Sequence, residues 1–132
     1  DHAERVARAS VPSGPPRVLV VEDDEVQHIS AAQAAEAVGC AIERASTARE
    51  TFRALARDRG IRLVLLDLYL PDGGPVSAFA ADVRAASPQG CVIVVVSGHE
   101  SGADIAAKIG ARFLLKPAGA DVLTDVMREA LT

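Results

Sequence analysis

Polar residues that could do chemistry follow four short apolar segments of the sequence. Carboxylates that lie close together repel one another unless a cation or a proton intervenes. Oxygen-only ligand sets suit Mg²⁺, a hard ion that often works beside phosphate. A lysine and a hydroxyl can stabilise a transferring phosphoryl group, and a carboxylate can itself accept that group. The residues concerned are Glu22, Asp23, Asp24, Asp67, Ser97 and Lys116.

Each of these residues also has a plain structural interpretation. An acidic cluster before a helix commonly forms an N-cap, with its charge at the favourable end of the helix. Taken alone, Asp67 is typical of a turn, Ser97 of a helix cap and Lys116 of a solvated surface. Their joint placement after four different apolar segments favours a functional site, and the structural roles can coexist with it.

The segments between these residues alternate between strand and helix patterns. This alternation predicts an α/β fold, a doubly wound parallel sheet with right-handed crossovers and helices on both faces. Ligands bind outside the carboxyl ends of the strands in such sheets, which is where the polar residues stand. The predicted strands cover 18–21, 40–45, 63–66, 91–96 and 112–115, and the predicted helices cover 25–38, 48–59, 76–86, 101–109 and 120–131.

Composition excludes several classes of protein. The chain has 132 residues, 49% of them hydrophobic, and a net charge of -4, which predicts one folded domain with a real core. No apolar run approaches the roughly 20 residues of a membrane span, and the acidic balance without a basic run argues against nucleic-acid binding. Cys40 and Cys91 form no short metal-type pair, so we expect buried free thiols in a reducing cytosol.

The N-terminal residues 1–16 are expected to form an extension and linker before a domain that covers 17–132. Three Pro and one Gly fall within residues 11–16, a composition typical of a linker, and residues 1–10 could be the end of a helix. Because the first residue is Asp1 rather than Met, we expect an excerpt of a longer protein or a processed form.

Four motifs in order resemble the response-regulator receiver domain of two-component signalling: VLVVEDDE, LVLLDLYLPDGG, VIVVVSGH and FLLKP. The resemblance covers residues 17–132 and implies a flavodoxin-like, five-stranded sheet in the order 2-1-3-4-5. It also implies Mg²⁺ as the cofactor. Asp23, Asp67 and the backbone carbonyl of Tyr69 would be its ligands, and Glu22 would act through water.

The same resemblance assigns the phosphoryl chemistry. Asp67 matches the phosphoacceptor, while Ser97 and Lys116 match the hydroxyl and the lysine that bind phosphoryl oxygens. Phe113 matches the aromatic switch position and would form a two-state element with Ser97. The Lys116–Pro117 peptide would be cis, as is plausible for an X-Pro bond in a tight functional turn.

Two ringed residues, Tyr69 and His99, would flank the approach to a phosphorylated Asp67. A tyrosine ring over the site can exclude the water that hydrolyses an aspartyl-phosphate, so we expect a long-lived phosphorylated form with Tyr69 as the main shield. In the alternative interpretation Tyr69 points into solvent and only its carbonyl matters. His99 acting as a base would instead speed hydrolysis.

Two departures from the family pattern stand out. Ser97 and Lys116 are closer in sequence than is usual, which implies a shortened fourth helix. It is therefore undecided from the sequence whether this chain uses the family's usual output face. Pro75 stands where the family normally has Gly. Either Val76 starts the third helix, or Pro75 is its first residue, a position that tolerates proline.

The implied function is that of a signalling receiver in a bacterial cytoplasm. It would take a phosphoryl group from a phosphohistidine on a sensor histidine kinase or a histidine phosphotransfer protein. Such a domain is no turnover enzyme, although it catalyses its own phosphorylation and dephosphorylation. The linker suggests the C-terminal receiver of a hybrid histidine kinase, which could be membrane-bound. A stand-alone response regulator is the alternative. We expect this domain to contact neither nucleic acid nor membrane. The sequence does not decide between a monomer and a homodimer.

Two other classes are less well supported. A Mg²⁺-dependent phosphohydrolase with an aspartyl nucleophile usually has a second Asp where Tyr69 stands. A degenerate receiver that only binds proteins would not need the full set of acidic, hydroxyl and lysine groups that this sequence retains.

Overall fold

The computed structural model describes residues 14–132, so residues 1–13, which hold most of the predicted extension, lie outside the described residues. Five parallel strands form one sheet in the order β2-β1-β3-β4-β5. The strands are β1 (Arg17–Val21), β2 (Ala41–Ala45), β3 (Ile61–Leu66), β4 (Val92–Ser97) and β5 (Arg112–Leu115). The helices are α1 (Glu25–Val38), α2 (Ala48–Arg57), α3 (Val76–Ala86), α4 (Gly102–Lys108) and α5 (Ala120–Leu131). The predicted fold class and strand order are confirmed.

The sheet is buried on both faces, because successive side chains of a strand point to opposite sides. Leu19 and Val21 pack with residues of α2, α3 and α4 in one cluster, which we call the α2–α4 core. Val18 and Val20 pack with residues of α1 and α5 in the other, the α1/α5 core. The two-sided burial explains why the central strands read as continuous apolar runs rather than as alternating patterns.

Local signals set the ends of α1. The Asp24 carboxylate accepts a hydrogen bond of 3.1 Å from the Val26 backbone N–H at the start of the helix. Gly39 ends the helix with a φ of 83°, a left-handed conformation that glycine adopts without a steric penalty. The helix covers the predicted residues, and its cap is Asp24, a member of the acidic cluster before it.

The predicted end of α2 at residue 59 is wrong. The helix ends at Arg57, and Asp58 has an extended backbone. The Asp58 carboxylate accepts two hydrogen bonds of 2.7 Å from Arg17 and one of 2.9 Å from the Gly60 N–H. This ion pair joins residues 41 positions apart and ends the helix before Gly60. The helix propensity of the local sequence could not predict this contact.

The two departures from the family pattern have structural outcomes. Helix α3 begins at Val76 with Pro75 as its N-cap, so Pro75 is not a helical residue. Helix α4 has only 7 residues, Gly102–Lys108, and is one residue shorter at each end than the predicted 101–109.

Two further features bear on the excluded classes. No helix within residues 14–132 has both the length and the apolar character needed to cross a membrane. Cys91 is a buried free thiol, as predicted, whereas Cys40 is free but only half-buried.

Candidate functional site

The parallel strands bring Glu22, Asp67 and Lys116 together at one edge of the sheet, although they are far apart in sequence. Glu22 follows β1, Asp67 follows β3 and Lys116 follows β5. Backbone hydrogen bonds of 2.9 Å fix these ends, from Asp67 N–H to the Val21 carbonyl and from Lys116 N–H to the Ser97 carbonyl. The predicted meeting of these residues is therefore observed.

The Lys116 ammonium group lies between two buried carboxylates. Its Nζ is 2.8 Å from Glu22 Oε1 and 3.3 Å from Asp67 Oδ2. Glu22 is only 3% exposed and Asp67 only 5%, so both charges are poorly screened by solvent. A single ammonium faces two carboxylates here, and the cluster carries surplus negative charge.

Asp23 adds a third carboxylate to this cluster. Glu22, Asp23 and Asp67 each offer an oxygen, and the three oxygens lie within 4.8 Å of one another. Asp23 is exposed while the other two are buried, so a bound ion would meet protein oxygens on one side and water on the other. This donor set fits Mg²⁺, which prefers oxygen ligands and keeps several waters.

The pKa values of Glu22 and Lys116 reflect their burial and the charges beside them. Burial raises the pKa of Glu22 to about 7, and repulsion from Asp67 adds to this, while the hydrogen bond from Lys116 opposes it. Burial also acts to lower the pKa of Lys116, but the hydrogen bond to Glu22 and the charge of Asp67 outweigh it, so that pKa is raised. Lys116 therefore stays cationic, and a nearby cation would stabilise the charged form of Glu22.

The third member of the acidic run, Asp24, serves the helix and not the carboxylate cluster. Its side chain caps α1, and its backbone N–H donates to Glu22 Oε2 at 3.1 Å. Asp24 therefore supports Glu22 through the backbone and leaves Asp23 as the exposed member of the cluster.

Ser97 and Phe113 both lie next to Gly102, near the site. Ser97 is fully buried at the end of β4, and its Oγ accepts a hydrogen bond of 3.1 Å from the His99 N–H. No hydrogen bond between Ser97 and Asp67 is found in residues 14–132. A Cβ added to Gly102 would lie 3.0 Å from Phe113 Cε2 and 3.3 Å from Ser97 Cβ. The absent side chain at Gly102 thus leaves the space that Phe113 and Ser97 border.

Tyr69 and His99 are in contact at the mouth of the site. The ring centroids are 4.3 Å apart with an interplanar angle of 40°. The Tyr69 N–H donates to Asp67 Oδ1 at 3.0 Å, and its side chain is 41% exposed. The structure therefore places both predicted flanking residues next to the site, and it adds their mutual contact.

The peptide between Lys116 and Pro117 is cis, as the resemblance implied.

Two polar residues near the site were not anticipated. Gln27 pairs with the backbone of Ala118, and Asp72 accepts from the backbone N–H groups of Ala48 and Arg49. Helical spacing carries a signal for Gln27, because it places this polar residue on the same buried face as Ala31. For Asp72 the turn motif predicts a loop but not its partner.

Comparisons with known proteins agree with this geometry. The sequence pattern of the response regulator receiver domain matches residues 18–128. The chain belongs to this family. A comparison with curated protein sequences gives no match.

Solved structures of receiver domains are similar over most of the chain. A CheY-like receiver domain protein from Methanospirillum hungatei has 26% identity and a TM-score of 0.78, covering 89% of this chain and 94% of the other. A signal receiver domain from Vibrio parahaemolyticus has 27% identity and a TM-score of 0.75, covering 89% and 90%. A response regulator from Thermotoga maritima shares the fold at 24% identity and a TM-score of 0.76, covering 89% and 98%.

Membership of the family assigns the domain a general role. It is a receiver domain of two-component signalling. Receiver domains generally bind Mg²⁺ in an acidic pocket, and this receiver has such a cluster in Glu22, Asp23 and Asp67. They also generally interact with histidine kinases or phosphotransfer proteins.

Proposed function

We propose that this receiver accepts a phosphoryl group on Asp67 from a phosphohistidine of a sensor histidine kinase or a histidine phosphotransfer protein. The observation that carries the proposal is the position of the Asp67 carboxylate. It is nearly buried, lies 3.3 Å from the Lys116 ammonium group and shares a carboxylate cluster with Glu22 and Asp23. A nucleophile, a cation and a metal-ligand set therefore surround one point.

In the proposed reaction an Asp67 oxygen attacks phosphorus in line with the bond to the histidine nitrogen. The new P–O bond forms as the P–N bond breaks, and the imidazole leaves with the electron pair. Lys116 stabilises charge on one phosphoryl oxygen, and the Ser97 hydroxyl donates to another. Asp23, Asp67 and the Tyr69 carbonyl would hold Mg²⁺, with Glu22 acting through water, and the ion would neutralise the remaining charge.

The surface beside the site supports a protein as the phosphoryl donor. Val26 and Ile29 are large apolar residues of α1 that are left exposed. Val26 also borders a groove, next to the site, that runs between α1 and the residues after Lys116. A partner that delivers its phosphohistidine to Asp67 would contact this surface of α1. The exposed side chains of Val26 and Ile29 would then be buried in the complex.

Phosphorylation would then act on the pair formed by Ser97 and Phe113. The added charge draws the Ser97 hydroxyl toward the phosphoryl group, and Phe113 can follow because both residues border Gly102. The face around α4 and β5 would carry the signal outward.

The wider context of this receiver is also part of the proposal. The Pro-rich residues 11–16 support a position after another domain, as at the C-terminus of a hybrid histidine kinase in the cytoplasm. A stand-alone response regulator is the alternative, and purification of the full gene product distinguishes the two by its size.

Labelling with a small phosphoryl donor tests the central step. Incubation with phosphoramidate and Mg²⁺ should add one phosphoryl group, detected by intact mass. Asp67→Asn should abolish the addition, while the control Asp82→Asn, at an exposed position on α3, should not. Labelling that survives in Asp67→Asn would refute the assignment of the phosphoacceptor.

A further inference from the structure

Gln27 makes a two-point contact with the backbone of a residue far away in sequence. Its Nε2 donates to the Ala118 carbonyl at 2.7 Å, and the Ala118 N–H donates to its Oε1 at 3.1 Å. Gln27 is 7% exposed and Ala118 only 4%. Both hydrogen-bonding groups of the side chain are therefore spent on one buried backbone position, 91 residues along the chain.

This contact holds the loop that carries the site lysine. On the N-terminal side of the loop, the Lys116 N–H is bonded to the Ser97 carbonyl at 2.9 Å. On the C-terminal side, Ala118 is bonded to Gln27. Lys116 thus lies between two fixed backbone points, one given by the sheet and the other by α1.

Gln27 also borders the site. It lines a small cavity together with Glu22, Asp67 and Leu123. Without the Gln27 amide, the Ala118 N–H and carbonyl would be buried and unpaired, and buried unpaired polar groups are disfavoured. The loop would move to satisfy them, and the Lys116 ammonium group would move with it.

We propose that Gln27 is a positioning residue for phosphoryl transfer, which sets the location of the Lys116 ammonium group through Ala118. The inference rests on the proposed function, since Lys116 acts there on the incoming phosphoryl group. The carboxylates of Glu22, Asp23 and Asp67 follow other strands, so the backbone that carries them is not held by this loop. Gln27 should therefore influence the rate of phosphorylation and leave Mg²⁺ binding unchanged.

The test compares the same substitution at two positions of one helix. Gln27→Met keeps the side-chain length and removes both hydrogen bonds, whereas Gln33→Met changes an exposed residue of α1. Phosphorylation by phosphoramidate at saturating Mg²⁺ should be about tenfold slower in Gln27→Met, because small misplacements of a catalytic group cost large factors in rate. The dissociation constant for Mg²⁺, followed by NMR titration of the backbone amides, should stay within about twofold. Gln33→Met should match the wild type in both.

The possible outcomes separate the two proposals. If the wild type is not labelled, the proposed function fails. If the wild type is labelled and Gln27→Met is labelled at the same rate, only the positioning role fails. A matching loss of rate and of Mg²⁺ affinity would indicate general damage to the site and would also overturn the positioning role.

A second variant keeps the test decisive if Gln27→Met does not fold. Gln27→Asn retains an amide but is one methylene shorter, so it cannot reach both backbone groups of Ala118. It should show the same slow phosphorylation with unchanged Mg²⁺ affinity. Normal phosphorylation in a folded Gln27→Asn protein would contradict the inference.

Discussion

The rings of Tyr69 and His99 contact each other across two loops, with centroids 4.3 Å apart. Tyr69 follows the phosphoacceptor candidate Asp67 by two residues, and His99 follows Ser97 by two. The contact therefore joins the loops after β3 and β4, on the side from which water would approach Asp67 in the proposed function. Since His99 supports the ring of Tyr69, the pair can act as one cover.

Removal of the Tyr69 ring should speed the loss of phosphate from the phosphorylated protein. We expect Tyr69→Ala to dephosphorylate several-fold faster than the wild type at constant Mg²⁺ and pH, because water gains access to the aspartyl-phosphate. Tyr69→Phe, which keeps the ring, should behave like the wild type. The decay is followed by intact mass after removal of the donor, and an unchanged or slower decay in Tyr69→Ala would eliminate the shielding role.

His99→Ala distinguishes a supporting ring from a catalytic base. If His99 only supports Tyr69, its removal should speed the loss of phosphate, though less than Tyr69→Ala. Slower decay in His99→Ala would instead show that the imidazole assists hydrolysis as a base.

Mg²⁺ binding should depend on Asp23 far more than on Asp24. Asp23 offers an oxygen to the carboxylate cluster, whereas Asp24 is occupied as the cap of α1. Asp23→Asn should therefore weaken Mg²⁺ binding by about tenfold or more, and Asp24→Asn should have a small effect, because loss of a direct carboxylate ligand removes charge at the ion. NMR titration with Mg²⁺ measures both, and equal losses would mean that the wrong member of the acidic run has been chosen.

The filling of space at Gly102 should destabilise the packing of Phe113. An added Cβ would lie 3.0 Å from Phe113 Cε2, so we expect Gly102→Ala to lower the free energy of unfolding by about 1–3 kcal/mol, typical of overpacking. Alanine has a higher helix propensity than glycine, so propensity alone would raise the free energy of unfolding. A decrease would therefore report the steric conflict with Phe113. Gly119→Ala, where no atom lies within 4 Å, is the control.

A double-mutant cycle identifies the partner of that clash. In a Phe113→Ala background the cost of Gly102→Ala, measured by urea unfolding, should largely disappear. An undiminished cost would show that the clash lies elsewhere.

Much of the fold follows from short-range signals. The apolar runs of the central strands and the acidic cluster before α1 predict elements that agree closely with those observed. Because parallel strands end at a common edge, the residues after them could be expected to meet.

Contacts between distant segments could not be predicted in this way. Arg17 ends α2 through Asp58, and Gln27 binds Ala118, because the sheet brings these residues together across 41 and 91 positions. In neither pair does the local sequence around one residue indicate which distant residue it contacts. The contact between Tyr69 and His99 likewise depends on the path of two loops.

Asp72 should stabilise the fold in a pH-dependent manner. It accepts hydrogen bonds of 2.7 Å and 3.1 Å from the Ala48 and Arg49 N–H groups at the start of α2. The bond from Ala48 is the main reason that the pKa of Asp72 lies below its usual value. A carboxyl with a lowered pKa stabilises the folded state above its unfolded pKa, and this contribution is lost as the pH falls through the folded pKa.

Asp72→Ala should therefore be less stable than the wild type at neutral pH, and the difference should shrink below about pH 4. Urea unfolding at several pH values measures it. Asp82→Ala, at an exposed position on α3, should show no such trend. A difference for Asp72→Ala that stays constant into acid would mean that its carboxylate charge does not matter.

The two cores on opposite faces of the sheet separate two tasks of the receiver. Gln27 and the α1/α5 core lie on the face that holds the lysine loop, while Phe113 packs against the α2–α4 core on the other face. The strands separate the two cores, and no buried residue in the described part of the chain belongs to both of them. Substitutions can therefore accumulate in one layer without repacking the other. Under the proposed function, a receiver built in this way can change the packing around Phe113 while the lysine loop keeps its support from Gln27.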